Sequence, residues 1–280
     1  MKFGLSIFIT DLSIAPHEVA REAEARGFES ILFPEKTHVP VSRKTPWPGG
    51  ELPEHYKRTY DPFVALSAAA AATSRIRIGT GICLVAVRDP IILAKEVASL
   101  DALSGGRFIF GVGYGWNAEE MEDHGIDFSK RGAIMRDKIH AMEVLWSDDE
   151  GSYQGEFVRF EAAWSWPKPA QRPRPPILVG SRASAEIFAD IADYADGWMP
   201  IEYYGKTVEH IPALRAAFVA AGRDPLTAEV SVFQSFGNED MLERYAEAGV
   251  QRVILGLPAA GREEVLPVLD AHTKLIERFS

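Results

Sequence analysis

The sequence predicts an α/β fold in which eight strand–helix units close into a (β/α)8 barrel of the TIM type. The first observation is that short apolar runs alternate with longer helical patterns eight times within 280 residues. The second is that runs such as 177–179 and 253–255 are apolar throughout, as strands buried on both faces are. The third is that such alternation implies parallel strands joined by right-handed crossovers.

Each predicted strand is followed by one predicted helix. The strands span residues 3–9, 30–34, 76–84, 107–112, 177–180, 197–200, 229–233 and 252–255. The helices span residues 16–26, 61–74, 90–103, 129–146, 184–194, 207–221, 239–248 and 262–278. Pro16, Pro62 and Pro90 suit a first helical turn, where a missing N–H is tolerated, and Gly27 and Gly249 suit a helix end.

Two segments interrupt this pattern. Residues 35–59 are predicted as a long loop rich in proline and glycine, of the kind that is often functional. Residues 148–176 are predicted as a small hairpin followed by a proline-rich run, inserted before the fifth barrel strand. No linker divides the chain, so we expect a single domain over residues 1–280.

A doubly wound open sheet is the alternative to the barrel. That fold carries a glycine-rich phosphate loop after its first strand, where this chain has Asp11-Leu12-Ser13. The glycines at 111, 113 and 115 are followed by Trp116, so they do not match the dinucleotide pattern either. The barrel is therefore favoured.

Composition excludes several classes of protein. The net charge is −10 and no basic tract is present, which argues against nucleic acid or an anionic membrane surface as a partner. The single cysteine, Cys83, excludes an internal disulfide and fits a reducing compartment. The longest uncharged apolar stretch, around residues 63–74, is too short to span a bilayer. We therefore expect a cytoplasmic protein.

The ligand site of such a barrel lies at the carboxyl ends of its strands. Four turns that follow predicted strands carry glycine or polar residues, and we expect the fold to bring them together: 35–38, 79–83, 113–117 and 180–183. In the first turn, Glu35, Lys36 and His38 are the predicted catalytic residues. A buried lysine titrates closer to neutral pH than a free one, so Lys36 is suited to proton transfer.

The third and fourth turns are suited to hold a phosphate or a flat ring. Gly111, Gly113 and Gly115 let backbone N–H groups approach a ligand, and Asn117 can cap a following helix. At 180–183, backbone N–H groups, a hydroxyl and a guanidinium converge before a helix. The alternative for this turn is a plain helix cap by Ser181 or Ser184.

Other candidates have simpler explanations. The acidic cluster with His124 matches no metal-ligand spacing, so no metal site is predicted; its members are Glu119, Glu120, Glu122 and Asp123. These carboxylates suit the first turn of a helix, and Asn117 with Glu120 resembles a capping box. In the long loop, five residues are suited to contact a substrate, but simple exposure is the favoured interpretation: Trp47, His55, Tyr56, Lys57 and Arg58.

These segments together resemble the luciferase-like monooxygenase superfamily, and most closely its branch that depends on the deazaflavin coenzyme F420. The resemblance covers nearly the whole chain. It is carried by residues 27–35, by 78–82 with 88–90, by 103–117, by 175–180 and by 195–198.

The resemblance implies how a cofactor is held. From the residues alone, Gly81-Ile82 is interpreted as an ordinary strand end, with a bulge or an unusual peptide geometry as the alternative. The resemblance instead matches it to the position of a non-prolyl cis peptide that lies behind the central ring of the cofactor. The ribityl and phosphate groups are implied to contact two segments: Gly113, Tyr114, Gly115, Trp116 and Asn117, and Gly180, Ser181, Arg182 and Ala183. Glu35 matches an acidic residue near the polar edge of the ring, and Lys36 stands where the family commonly has histidine.

The implied function is that of an oxidoreductase that moves a hydride between C5 of coenzyme F420 and a small organic substrate. Two alternatives stay open: a monooxygenase that uses FMN, and a non-catalytic carrier of a flavin or deazaflavin. The resemblance also implies a homodimer that forms through barrel helices.

Overall fold

A closed barrel of eight parallel strands forms the centre of the protein in a computed structural model that describes residues 1–202 and 206–279. The barrel strands are β1 (Lys2–Ser6), β2 (Ser30–Phe33), β3 (Arg77–Thr80), β4 (Phe108–Gly113), β7 (Ile177–Gly180), β8 (Gly197–Trp198), β9 (Glu229–Ser235) and β10 (Arg252–Gly256). A separate antiparallel hairpin consists of β5 (Gly151–Gln154) and β6 (Arg159–Ala163).

The helices lie between successive strands in chain order. They are α1 (Pro16–Ala25), α2 (Pro62–Ala72), α3 (Pro90–Leu103), α4 (Ala118–Asp123), α5 (Arg131–Ser147), α6 (Ala185–Tyr194), α7 (Thr207–Ala220), α8 (Glu239–Glu247) and α9 (Arg262–Phe279). None of the described helices is long and apolar enough to cross a membrane.

The barrel is closed because the first strand, β1, pairs with the last strand, β10, as well as with β2. Gly4 lies opposite Ser30 of β2 and opposite Ile254 of β10, and every neighbouring pair around the ring is parallel. The predicted (β/α)8 architecture is confirmed, with the predicted hairpin inserted before β7.

Capping residues explain where helices begin. Asp61 accepts hydrogen bonds from the N–H groups of Phe63 and Val64, and Asp89 caps α3 in the same way. In both helices a proline follows the cap, at a position whose N–H would have no partner within the helix. The sequence pattern therefore places the start of α3 correctly and that of α2 within one residue.

Two apolar layers hold the barrel together. The larger layer lies between the strands and the surrounding helices. The smaller layer fills the barrel interior and comprises Leu32, Ile109, Leu178, Met199, Phe233 and Ile254, with Ile82 and Ile201 packed against it. Because the interior is filled by side chains, a ligand has access only to the ends of the barrel.

Among the differences from the predicted strand and helix pattern, two bear on the site. The predicted strand 76–84 ends at Thr80, and its remainder forms a loop that contains a short 3-10 helix. The short helix α4 begins after the Asn117 cap, as the capping pattern predicts, but it is additional to the eight helices predicted for the barrel. Both departures lie at the carboxyl end of the barrel, so they shape the site described next.

Candidate functional site

A cavity of about 680 Å³ lies at the carboxyl ends of β1, β9 and β10. Side chains that follow these three strands line it, together with residues of the long loop between β2 and α2. Its volume falls within the range of small-molecule sites, about 300–1,000 Å³. This end of the barrel is where the fold places its ligand sites.

Aromatic side chains form one wall of the cavity. Tyr56 is the centre of the wall: its ring centroid lies 4.8 Å from that of Phe8, 5.7 Å from that of Trp47 and 6.5 Å from that of Trp116. Trp47 and Tyr56 are half-buried, so the expectation that these loop residues are simply exposed is wrong for them. Such a wall excludes water and suits a flat or apolar ligand.

The remaining lining combines apolar residues with a few polar side chains that carry no permanent charge. The polar side chains include Ser6, Gln234, Ser235 and His272, and among the described lining residues no lysine, arginine, aspartate or glutamate occurs. Burial lowers the pKa of His272, whose Nε2 lies 3.1 Å from the carbonyl oxygen of Gly256. Because a carbonyl only accepts, Nε2 carries the proton and Nδ1 is an acceptor.

Behind the aromatic wall lies a buried ion pair between Lys36 and Glu120. The two side chains are 4% and 0% exposed, and the Lys36 ammonium lies 4.9 Å from the ring centroid of Trp116. Glu120 sits in the first turn of α4, where Asn117 caps the helix by accepting from the Glu120 N–H at 2.9 Å. The capping-box prediction is therefore wrong for the Glu120 carboxylate, which binds Lys36 instead.

The rest of the loop segment after β2 is fastened to α4. His38 Nε2 lies 3.0 Å from Asp123, and Thr37 Oγ1 lies 2.9 Å from His124 Nε2. Glu119 accepts from the N–H and the hydroxyl of Thr45, and the hydroxyl bond lowers the pKa of Glu119 to about 2. The acidic cluster thus anchors a loop, and no metal-binding group of three side chains occurs among the described residues.

Glu35 holds the loop that follows β3. Its Oε2 accepts from the N–H of Leu84 at 2.6 Å and its Oε1 accepts from Arg88 Nε at 2.7 Å. Arg88 also binds Asp61 and Glu96. The Glu35 side chain is 1% exposed. The predicted role of Glu35 in proton transfer stays a prediction, and its contacts describe a positioning residue.

Gly81 and Ile82 lie where β3 ends, and the peptide bond between them is cis, as the resemblance implies. A Cβ on Gly113 would lie 2.8 Å from Ile82 Cδ1, and one on Gly180 would lie 2.6 Å from Ile82 Cγ2. The two glycines therefore form a cradle that admits the Ile82 side chain. A Cβ on Gly81 would meet Phe233 at 2.6 Å.

The turn after β7 leaves one hydroxyl without a partner. Ser184 caps α6 by accepting from the N–H of Ile187 at 3.1 Å, whereas the buried hydroxyl of Ser181 has no hydrogen-bond partner in the described chain. Trp198 fixes this turn by donating to the carbonyl of Ser181. Of the two caps considered, Ser184 is the one used, and Ser181 is available to a ligand.

The other predicted cofactor residues occupy different surroundings. Tyr114 donates to Asp190 at 2.9 Å, and its ring borders Gly132 of α5. Gly115 has a φ of 71°, which only glycine adopts freely. Arg182 is exposed and Ala183 packs against the core. Of the predicted residues, Trp116 lines the large cavity directly.

The cavity residues that follow the first and the last two barrel strands are absent from the predicted site. Ser6, Phe8, Gln234, Phe236 and His272 all line the cavity. The same rule that selected the turns after the second to fifth strands applies to the ends of β1, β9 and β10. Their position after a barrel strand is therefore the signal that could have identified these residues, except for His272, which lies on α9.

The chain is thus a closed (β/α)8 barrel with an aromatic cavity at its carboxyl end. The family model for luciferase-like monooxygenases matches residues 15–272, and the chain belongs to this family. Members of this family are oxidoreductases and monooxygenases, which supports an enzymatic role.

Individual relatives agree with this assignment. An uncharacterized protein of Mycobacterium tuberculosis is 43% identical over 274 residues, which cover 96% of each chain. The monooxygenase RslO1 from Streptomyces bottropensis has the same fold, with a TM-score of 0.81, 22% identity and 100% of each chain covered. An F420-dependent secondary alcohol dehydrogenase, solved with an F420–acetone adduct, gives a TM-score of 0.77 at 18% identity and also covers 100% of each chain.

Proposed function

We propose that this protein is an oxidoreductase that transfers a hydride between C5 of coenzyme F420 and a small organic substrate. The observation that carries the proposal is the unpaired, buried hydroxyl of Ser181 beside the glycine cradle of Ile82. An unpaired buried hydroxyl is unfavourable, and a phosphate oxygen would give it a partner. The F420-dependent alcohol dehydrogenase of the same fold supports the choice of cofactor.

The residues fit a phosphate-bearing tricyclic cofactor. Ile82, Gly81 and Gly113 would border its ring, and Ser181 with its neighbours would hold its phosphate. The full set of proposed cofactor-binding residues is Gly81, Ile82, Gly113, Tyr114, Gly115, Trp116, Asn117, Gly180, Ser181, Arg182 and Ala183. When bound, the cofactor supplies the hydride chemistry, and the protein supplies orientation and exclusion of water.

Lys36 is the proposed proton donor. It has three N–H donors, of which Glu120 takes one, and no other hydrogen bond of its side chain occurs within the described part of the chain. The Lys36 ammonium packs beside Trp116, which lines the cavity. We propose His38 as an auxiliary group at the same turn, and Glu35 as the residue that positions the loop after β3.

A monooxygenase that uses FMN is the second candidate. Two observations favour it: the family is described as luciferase-like monooxygenases, and RslO1, which shares the fold, is a monooxygenase. FMN also carries a phosphate, so the Ser181 site fits either cofactor.

Binding measurements on the cofactor-free protein separate the two candidates. Quenching of tryptophan fluorescence would be followed during titration with F420 and, separately, with FMN. We expect F420 to bind at least about tenfold more tightly, a difference of about 1.4 kcal/mol. Tighter binding of FMN would exclude the first candidate, and oxidation of reduced F420 by a substrate panel would establish turnover.

A serine variant tests the phosphate contact. Ser181→Ala should weaken F420 binding by about tenfold, because a hydrogen bond to a charged group contributes about 1.5–3 kcal/mol. Ser67→Ala is the matched control: Ser67 is exposed and donates to the carbonyl of Phe63 within α2. Equal affinities for the two variants would show that Ser181 does not contact the cofactor.

We also propose that the protein forms a homodimer through α2 and α3. These helices pack together and expose Val64, Ile91, Ile92 and Leu103, with exposed fractions of 70%, 48%, 62% and 81%. Clusters of exposed apolar side chains favour association. Ile92→Glu should convert the dimer to a monomer in sedimentation experiments, whereas Val219→Glu on α7, 59% exposed, should not.

A further inference from the structure

The strand β9 contains a bulge at Gln234. Phe233 lies opposite Ile254 of β10 and Ser235 lies opposite Leu255, so Gln234 is an extra residue with no partner in the ladder. Its φ of 53° is in the left-handed region, which a residue with a Cβ adopts at a cost. Bulges of this kind redirect a side chain, commonly next to a binding site.

The bulge presents an amide to the cavity. Gln234 lines the cavity between two buried neighbours, Phe233 and Ser235. Ser235 is held in place because its hydroxyl donates to Glu202 at 3.2 Å, and Glu202 also accepts from the N–H of Phe236 at 2.6 Å. The side-chain amide of Gln234 has no hydrogen bond to any described residue. An amide without a protein partner in a largely apolar cavity is suited to bind a ligand.

The electrostatics of the cavity restrict the ligand. The described lining residues carry no permanent charge, and His272 is neutral near pH 7 because burial lowers its pKa. Moving a carboxylate or an ammonium from water into such a cavity has a large desolvation cost with no counter-charge to offset it. Phe8, Trp47, Tyr56 and Trp116 favour a ring instead.

We propose that the cavity takes an uncharged, ring-bearing carbonyl compound whose carbonyl oxygen accepts a hydrogen bond from the side-chain amide of Gln234. This proposal rests on the proposed function, since the compound is the substrate of the same site. Gln234 is then the residue that selects a carbonyl compound over a hydrocarbon of the same shape.

Three probes of one size test the proposal on cofactor-free protein. Acetophenone carries the ring and the carbonyl, ethylbenzene lacks the carbonyl, and benzoate adds a charge. Their dissociation constants would be measured by tryptophan fluorescence, since Trp47 and Trp116 line the cavity. We expect acetophenone to bind about tenfold more tightly than either of the others.

Two variants test whether Gln234 causes the preference for acetophenone. Gln234→Leu and the nearly isosteric Gln234→Glu both remove the amide donor, and both should abolish the preference for acetophenone over ethylbenzene. Gln154→Leu, at an exposed position of β5, is the matched control and should preserve it. Agreement between the two Gln234 variants shows that the result does not come from a folding defect of one of them.

Two results would overturn the proposal: benzoate binding as tightly as acetophenone, or an unchanged acetophenone preference in both Gln234 variants. These measurements contain no cofactor. Failure of F420 to bind would therefore refute the proposed function alone, and failure of the probes to discriminate would refute the substrate class alone.

Discussion

Lys36 and Glu120 form an ion pair in which both side chains are almost completely buried, 84 residues apart in the chain. The pair joins the turn after β2 to the first turn of α4. It thereby fixes Trp116, which lies beside the Lys36 ammonium and forms part of the cavity wall. The stability of this end of the barrel therefore depends on both charges being present.

Removal of one member of this pair should destabilise the protein strongly. Lys36→Met leaves the Glu120 carboxylate buried without its counter-charge, and such losses cost about 3–5 kcal/mol. Urea unfolding followed by circular dichroism measures the change. The double variant Lys36→Met/Glu120→Leu should recover most of the loss, because no uncompensated charge remains.

An exposed ion pair provides the control for this experiment. Arg244 and Glu209 lie 3.5 Å apart with side chains 52% and 56% exposed. Glu209→Gln should cost less than about 1 kcal/mol, because water screens exposed pairs. A Lys36→Met variant as stable as Glu209→Gln would contradict the structural importance of the buried pair.

The glycine cradle predicts a separate effect on cofactor affinity. In Gly180→Ala the new Cβ would lie 2.6 Å from Ile82 Cγ2, so Ile82 must move. We expect at least about a tenfold loss of cofactor affinity, since 1.4 kcal/mol corresponds to tenfold. The measurement is the fluorescence titration with F420 described above.

Gly132→Ala is the matched control for the cradle. Gly132 lies in α5, and a Cβ there would meet Tyr114 at 3.5 Å, an ordinary contact. Because Gly132 is the second residue of α5, in its first turn, alanine there should change stability by less than about 1 kcal/mol and leave cofactor affinity unchanged. Similar losses of affinity in both variants would argue against a specific role for the space around Ile82.

Local sequence signals were sufficient to predict the fold. The bounds of α3 agree exactly with the prediction for residues 90–103, because Asp89 and Pro90 determine its start through contacts within a few residues. The same holds for β7, whose apolar run spans residues 177–180. The alternation of strands and helices then predicts a closed barrel whose neighbouring strands are parallel.

The details of the site depended on partners that are distant in sequence. Lys36 was expected at the carboxyl end of the barrel, but its partner Glu120 was interpreted as part of a capping box. Trp47 and Tyr56 were expected to be exposed because their packing depends on Phe8 and Trp116. No local signal marks such pairs.

The bulge at Gln234 predicts that glycine is tolerated at this position. Glycine adopts a φ of 53° without the cost that a side chain incurs, so Gln234→Gly should leave the free energy of unfolding unchanged within about 1 kcal/mol. Gln154→Gly, in the extended strand β5, should cost about 0.5–1 kcal/mol. A larger loss for Gln234→Gly in urea unfolding would mean that the Gln234 side chain stabilises the fold rather than binding a ligand.

Two histidines, His140 and His272, should affect the pH dependence of stability in opposite directions. Hydrogen bonds to Glu143 and Asp193 raise the pKa of His140 above 6.5, whereas burial lowers that of His272. Because the folded pKa of His140 exceeds the unfolded value, its contribution is complete below about pH 6.5 and is lost as pH rises through the folded pKa. The contribution of His272 is present above its unfolded pKa and is lost as pH falls.

Substitution of each histidine by glutamine should therefore show opposite trends. The cost of His140→Gln should be larger at pH 5.5 than at pH 8.5, by about 0.5 kcal/mol, since the pair is partly exposed. The cost of His272→Gln should be larger at pH 8.5. Urea unfolding at the two pH values measures both, and costs that change in the same direction would contradict the ion-pair geometry of His140 or the neutral state of His272. A charged His272 would also remove the reason to expect an uncharged substrate in the cavity.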